Sequence, residues 1–129
     1  MRILVTMLVF SVVFACSKKD EEPPPMLSTT TTTVGPAGEA RQLFDTVCYT
    51  CHGKDGTGTG PASATLNPKP RNYTDKAWQA SVTDDAIKNI ILGGGLAVGK
   101  SPIMPAQTQL KDKPEVVNEL VKIVRAFGK

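Results

Sequence analysis

The sequence predicts an all-α domain over residues 37–129. Three apolar stripes carry this prediction. Ala40, Leu43, Phe44 and Val47 fall at i, i+3, i+4 and i+7; Ile87, Ile90 and Ile91 make a shorter stripe; Val117, Leu120, Val121 and Val124 make a third. Residues so spaced share one face of a helix. Segments rich in glycine and proline lie between the stripes, and these residues interrupt helices.

The first helix is expected from Ala37 to about Cys51. Glu39, Arg41, Gln42 and Asp45 take its outer face, and Leu43 and Phe44 are core residues with no chemical role. The middle helix opens at Thr83-Asp84-Asp85-Ala86, where Thr83 can cap and two acids sit in the positive first turn. Gly93-Gly94-Gly95 stops it. The last helix opens at Asp112-Lys113-Pro114-Glu115, a capping-box spacing with proline tolerated in the first turn. Val116, Ile123 and Phe127 broaden its stripe, and Gly128 ends it.

The first helix delivers Cys48-Tyr49-Thr50-Cys51-His52 at its C-terminal end. This is the C-x-x-C-H form of a c-type haem attachment site. Two thiols three residues apart lie on the same side of one helical turn. Both can add to the two vinyl groups of a single porphyrin as thioethers. His52 then places an imidazole on one face of the iron. Other chemistries fit less well. A structural zinc site needs four ligands, usually from two spaced pairs, and no Cys or His follows His52. A redox C-x-x-C would want a βαβ context, which the flanks do not offer. Residues 53–61, Gly-Lys-Asp-Gly-Thr-Gly-Thr-Gly-Pro, hold four glycines in nine positions. Such a loop turns tightly and approaches something closely. A phosphate-cradling loop fails on context, because no Gly-Lys-Ser/Thr follows and no strand precedes.

Cys48 to Gly53, with Asp55-Gly56, Gly58 and Gly60-Pro61, resembles class I cytochrome c of the small bacterial type. The resemblance extends over residues 37–129. It implies a cytochrome c fold, about four helices wrapped around one covalently bound haem c. It also implies that the last helix crosses the first, with Phe44 or Leu43 against Leu120 or Val124. The family likeness makes the Pro61 carbonyl the acceptor for the free ring nitrogen of His52, a bond that fixes the tautomer; a merely rigid turn is the alternative. Asn67-Pro68-Lys69-Pro70-Arg71-Asn72-Tyr73 resembles the Pro-Arg segment beside the haem edge in the family. Arg71 could grip a propionate in a fork, and Trp78 could donate its indole N–H there. A solvated arginine and a partly buried core tryptophan are the plain alternatives.

Gly99-Lys100-Ser101-Pro102-Ile103-Met104-Pro105 follows the middle helix. Two prolines bracket Ile-Met and restrict that segment. A thioether is a soft ligand, and His/Met ligation raises the reduction potential of haem iron. Met104 is the only methionine of residues 37–129 and lies 52 residues after His52, where the family's axial methionine belongs. An unplaced methionine is more often core filler. His52 is the sole histidine, which excludes bis-His ligation within one chain. His52 and Met104 are therefore the expected metal ligands, and Cys48 and Cys51 the covalent attachments.

The N-terminus reads as a targeting segment. Arg2 precedes an apolar run, Ile3 to Phe14, interrupted only by Thr6 and Ser11. That is short of the roughly 20 residues of a spanning helix and suits a signal peptide, residues 1–15. Val13-Phe14-Ala15-Cys16 looks like a bacterial lipobox, with cleavage before Cys16 and lipidation of that residue. An ordinary signal peptide cut nearby is the alternative. Ser17 suggests, by resemblance, sorting to an outer membrane. Residues 16–36 combine mixed charge, Pro23-Pro24-Pro25 and a run from Thr29 to Thr33. They cannot form a core and make a tether spanning roughly 25 Å as a coil, either a leash or an inert spacer. Met26 lies there and is a poor candidate for a fixed site. The expected location is the bacterial cell envelope, periplasm-facing and lipid-anchored.

Net charge is +3 over 129 residues, and no basic run exceeds Lys18-Lys19. Nothing asks for a nucleic-acid partner. No disulfide is expected, since Cys48 and Cys51 go to haem and Cys16 to lipid. No second His and no Ser–His pair suggest hydrolytic or transfer chemistry. The expected function is that of a monomeric, membrane-tethered single-electron carrier between redox proteins, not an enzyme. Two other classes stand beside it: a haem-based sensor or enzyme with a labile sixth ligand, and a fixed electron-entry subunit of a larger respiratory complex. Lysines 54, 69, 76, 100, 111 and 113 could ring the haem edge and attract an acidic partner, or be ordinary solvated surface.

Overall fold

The computed structural model describes residues 34–129. The expected signal peptide, Cys16 and the tether up to residue 33 lie outside them. Among the described residues the chain forms helices and no strand. Helix α1 (Pro36–Leu43) continues without a break through a π-helical turn, Phe44–Cys48, into α2 (Tyr49–His52). Helices α3 (Lys76–Ser81), α4 (Asp84–Gly93) and α5 (Pro114–Ala126) follow. Taking α1 to α2 as one rod, the domain has four helices, the number implied by the family likeness.

The helix ends follow local chemistry, with two departures from expectation. Pro36 opens α1 at its first position, where a missing N–H costs nothing. Thr83 caps α4, its hydroxyl accepting the Ala86 N–H at 3.1 Å. At α5 the expected capping box is not made: Lys113 is the N-cap, without a side-chain bond. The chain enters α5 from a 3-10 turn, Thr108–Leu110, and the Lys113 N–H donates to the Leu110 carbonyl at 3.0 Å. Asp112 sits one residue before the capping position. Helix α3 was not foreseen. Six residues are too few for a periodic signal; Asp75 caps it by accepting the Trp78 N–H at 3.1 Å.

One buried cluster holds Ala40, Phe44, Tyr73, Ile87, Leu110 and the inner face of α5: Val116, Val117, Leu120, Val121 and Val124. α1 and α4 both pack on α5. Phe44 shares this cluster with Leu120 and Val124, the residues expected opposite it, and its ring centroid lies 5.5 Å from that of Phe127, just past the end of α5.

A polar junction ties α3, α4 and α5 together. Arg125 donates to the carbonyls of Gln79 and Val82, both at 2.7 Å, and to the Asp84 carboxylate at 2.8 Å. Gln79 in turn donates to the carbonyls of Tyr73 at 2.8 Å and Val124 at 2.9 Å. Hydrogen bonds to charged groups contribute about 1.5–3 kcal/mol each when partly shielded. Arg125→Met removes all three and is therefore expected to destabilise the domain by at least about 2 kcal/mol, the value of a single such bond. Lys122→Met, which removes an exposed pair with Glu119, is expected to cost under about 0.5 kcal/mol. Thermal unfolding followed by circular dichroism compares the two.

Candidate haem site

The π-helical turn sets the phase of the site. Ala40 and Phe44 are buried as the α-helical stripe requires, but Val47 is 43% exposed. Cys48 packs on the core in its place. The cause is the bond from the Tyr49 N–H to the Phe44 carbonyl, five residues back. A π-helical turn holds about one residue more than an α-helical turn, so the inward stripe slips by one. The α-helical spacing read from sequence could not register this slip. It leaves Cys48 and Cys51 half-buried and His52 buried.

The last carbonyls of a helix have no intrahelical partner. Here the Tyr49 carbonyl takes the last helical bond, from the capping Gly53, and the other three find partners in the loop that follows. The N–H groups of Gly53, Ala62, Gly60 and Gly58 donate to the carbonyls of Tyr49, Thr50, Cys51 and His52, at 2.8, 2.8, 3.0 and 2.8 Å respectively. The glycine loop thus folds back over the end of its own helix. Gly60 lies so close to the Tyr49 and Thr50 carbonyls that a Cβ there would collide with both. What the loop approaches is the backbone of the attachment motif.

His52 Nδ1 donates to the Arg71 carbonyl at 3.2 Å. A carbonyl can only accept, so this bond places the proton on Nδ1 and leaves the Nε2 lone pair for a metal. The acceptor expected at Pro61 is therefore found at Arg71. Pro61 is exposed, on the stretch that covers the helix end, while residues 71–73 pass the imidazole. Burial pulls the His52 pKa below its ordinary value, and the bond to Arg71 opposes that shift. Tyr73 stacks on the imidazole, with centroids 4.5 Å apart and planes 12° from parallel. Trp78 lies 5.7 Å from Tyr73, and the Arg71 guanidinium sits 5.7 Å above the Trp78 ring and 3.4 Å from Asp75. The structure thus brings His52, Arg71 and Trp78 together around Tyr73. Sequence reading assigned Tyr73 no role; its place two residues after Arg71 was the only signal.

The Cys48 thiol is pushed up to about 11, mainly by burial. That is the opposite of the depressed pKa on which a redox C-x-x-C relies. Cys48 and Cys51 are not joined to each other.

Met104 is half-buried on the loop after α4. Its carbonyl accepts the Gly95 N–H at 3.0 Å, and the Gln107 N–H donates to the Ile91 carbonyl at 2.9 Å. A Cβ on Gly94, whose φ is +70°, would stand 2.7 Å from the Met104 carbonyl oxygen. The glycine triplet therefore ends α4 and also admits the methionine loop. Leu96 and Ile103 on this loop remain 70% and 54% exposed. Among the described residues no three His, Cys, Asp or Glu gather to hold another metal. A thiol pair on one turn, an imidazole with free Nε2 and a thioether on a pinned loop fit haem.

The sequence pattern of the cytochrome c family matches residues 37–119. The chain belongs to the cytochrome c family. A solved structure, the KustC0563 c-type cytochrome, is similar at 34% identity and a TM-score of 0.52, covering 70% of this chain and 98% of that one. No curated protein matches the chain. This cytochrome c domain binds covalent haem c, and the family's chemistry is haem-based electron transfer. The fold is the all-α one expected.

The π-helical turn makes a prediction. Deleting Thr46 should convert it to an α-helical turn and keep Cys48, Cys51 and His52 in phase with α1. Inserting one alanine after Thr46 should rotate them by about 100°. Haem content by pyridine haemochrome, after co-expression with attachment machinery, should survive the deletion and be lost in the insertion.

Proposed function

We propose that this cytochrome c is a class I single-electron carrier of a bacterial cell envelope, with His52 and Met104 as the two iron ligands. The single observation that carries the reading is the Met104 loop. The bond from Gly95 to the Met104 carbonyl, and the contact that Gly94 permits, hold a soft sulfur donor in a fixed backbone. With His52 the only histidine, a thioether is the natural second ligand. Haem supplies the reversible one-electron couple. The chain supplies the ligand set, a buried imidazole and apolar cover. Two protein ligands leave no open iron position, so substrate chemistry at the metal is not expected.

In this reading residues 1–15 are a signal peptide, and lipidated Cys16 holds the domain to a membrane through the tether, facing the periplasm. The protein acts as a monomer and exchanges electrons with other redox proteins. Lys69 is engaged with the Ser63 and Ala64 carbonyls, and Lys113 with Glu39. Lys54, Lys76, Lys100 and Lys111 are then the better candidates for meeting an acidic partner. The half-exposed Arg71 guanidinium keeps donors beyond its 3.4 Å contact with Asp75, enough for a propionate.

Absorption spectra of ferric and ferrous holoprotein, with and without carbon monoxide, test the ligation. The expected result is a weak red sulfur-to-iron band in the ferric form and no response to carbon monoxide. Met104→Ala should abolish the band, admit carbon monoxide and lower the potential. A high-spin wild type that binds carbon monoxide would favour a sensor or enzyme instead. The anchoring has its own check: Cys16→Ser should move the protein from the membrane fraction to the soluble fraction.

A further inference from the structure

Tyr73 is buried and takes no part in the attachment or ligation described above. Its setting is nonetheless specific. One ring face lies on the His52 imidazole at 4.5 Å, nearly parallel. Its backbone N–H donates to the Gly56 carbonyl at 2.7 Å, and its carbonyl accepts from the Gln79 side chain at 2.8 Å. Gln79 also donates to the Val124 carbonyl at 2.9 Å. Trp78 and Phe127 stack nearby, with centroids 5.7 Å and 6.1 Å from that of Tyr73. The ring is thus anchored to the glycine loop on one side and to α5 on the other.

An imidazole bound to a metal through Nε2 keeps one soft motion, rotation of its plane about the bond. The Arg71 carbonyl restrains that motion at the Nδ1 edge, but a single 3.2 Å contact allows a wide arc. A flat ring packed on the imidazole face opposes any turn, because turning separates or collides the two faces. We propose that Tyr73 is a positioning residue that sets the plane of the His52 imidazole, acting through its ring face rather than its hydroxyl. This rests on His52 as an iron ligand. The imidazole π orbital overlaps the iron d orbital that its plane selects. In the low-spin ferric state that plane, together with the lone pair of the sulfur ligand, sets how unpaired spin is spread over the porphyrin.

Proton NMR of the ferric holoprotein reads this spread in the hyperfine shifts of the four haem methyl groups. Tyr73→Phe keeps the stacked face and should keep the wild-type pattern of shifts. Tyr73→Leu removes it and should redistribute the shifts among the methyls while the sulfur-to-iron band persists. Circular dichroism verifies that the Leu variant is folded; if it is not, Tyr73→Met, of similar reach and without a flat face, takes its place. A folded Leu or Met variant with the wild-type pattern would overturn the proposal. So would a Phe variant as altered as the Leu variant, since the hydroxyl would then be the acting group. A wild type without the sulfur-to-iron band would count against Met104 ligation alone. With cyanide added to make the ferric iron low-spin, the comparison of methyl shifts would then read the plane of His52 by itself.

Discussion

The carbonyls of Thr50, Cys51 and His52 at the end of α2 are the constraint on which the site depends. They terminate the helix that carries both thiols and the imidazole. Left without partners in a partly buried setting, each would cost on the order of 1–3 kcal/mol. The Gly53–Ala62 stretch satisfies all of them with its own backbone N–H groups. To do so it must lie almost on the helix, which is why Gly60 has no room for a side chain. The attachment motif is therefore held by main-chain bonds before any side chain contributes.

From that anchor the rest of the proximal side follows in sequence. The Gly56 carbonyl takes the Tyr73 N–H, which draws residues 71–73 past the end of α2. Arg71 then offers its carbonyl to His52, and Tyr73 its ring. The guanidinium of Arg71 turns outward onto Trp78 and Asp75. Gln79 and Arg125 lock the next turn to α5. Backbone bonds from the loop, a carbonyl and a ring thus act on one imidazole. The methionine loop is held separately, through the close contact of Gly94 and Gly95 with the backbone at Met104. Two separate sets of backbone bonds, one per candidate ligand, position the site.

Much of this was legible in the chain. The stripes of the first, middle and last helices follow from apolar spacing, because burial on α5 rewards one face only. Cys48, Cys51 and His52 are legible because two thioethers and one imidazole must come from one turn of helix. Thr83 is legible as a cap because hydroxyl capping is local. Where departures occurred, the deciding bond was remote or the register was subtle. Val47 is exposed because one π-helical bond moved the stripe. Asp112 misses its cap because Lys113, whose N–H is bonded back to Leu110, takes the N-cap position.

By itself the sequence determined the chemistry: a thiol pair and an imidazole on one helical turn, a lone methionine between prolines, and the apolar faces of an all-α domain. These depend on residue type and on separations of a few positions. The tertiary structure decided which carbonyl meets His52, which ring stacks on it, and why three glycines precede the methionine loop. Arg71 lies 19 residues from His52, and Gln79 lies 45 from Val124. Contacts across such separations depend on how loops close over helix ends, and no local pattern of side chains encodes that closure.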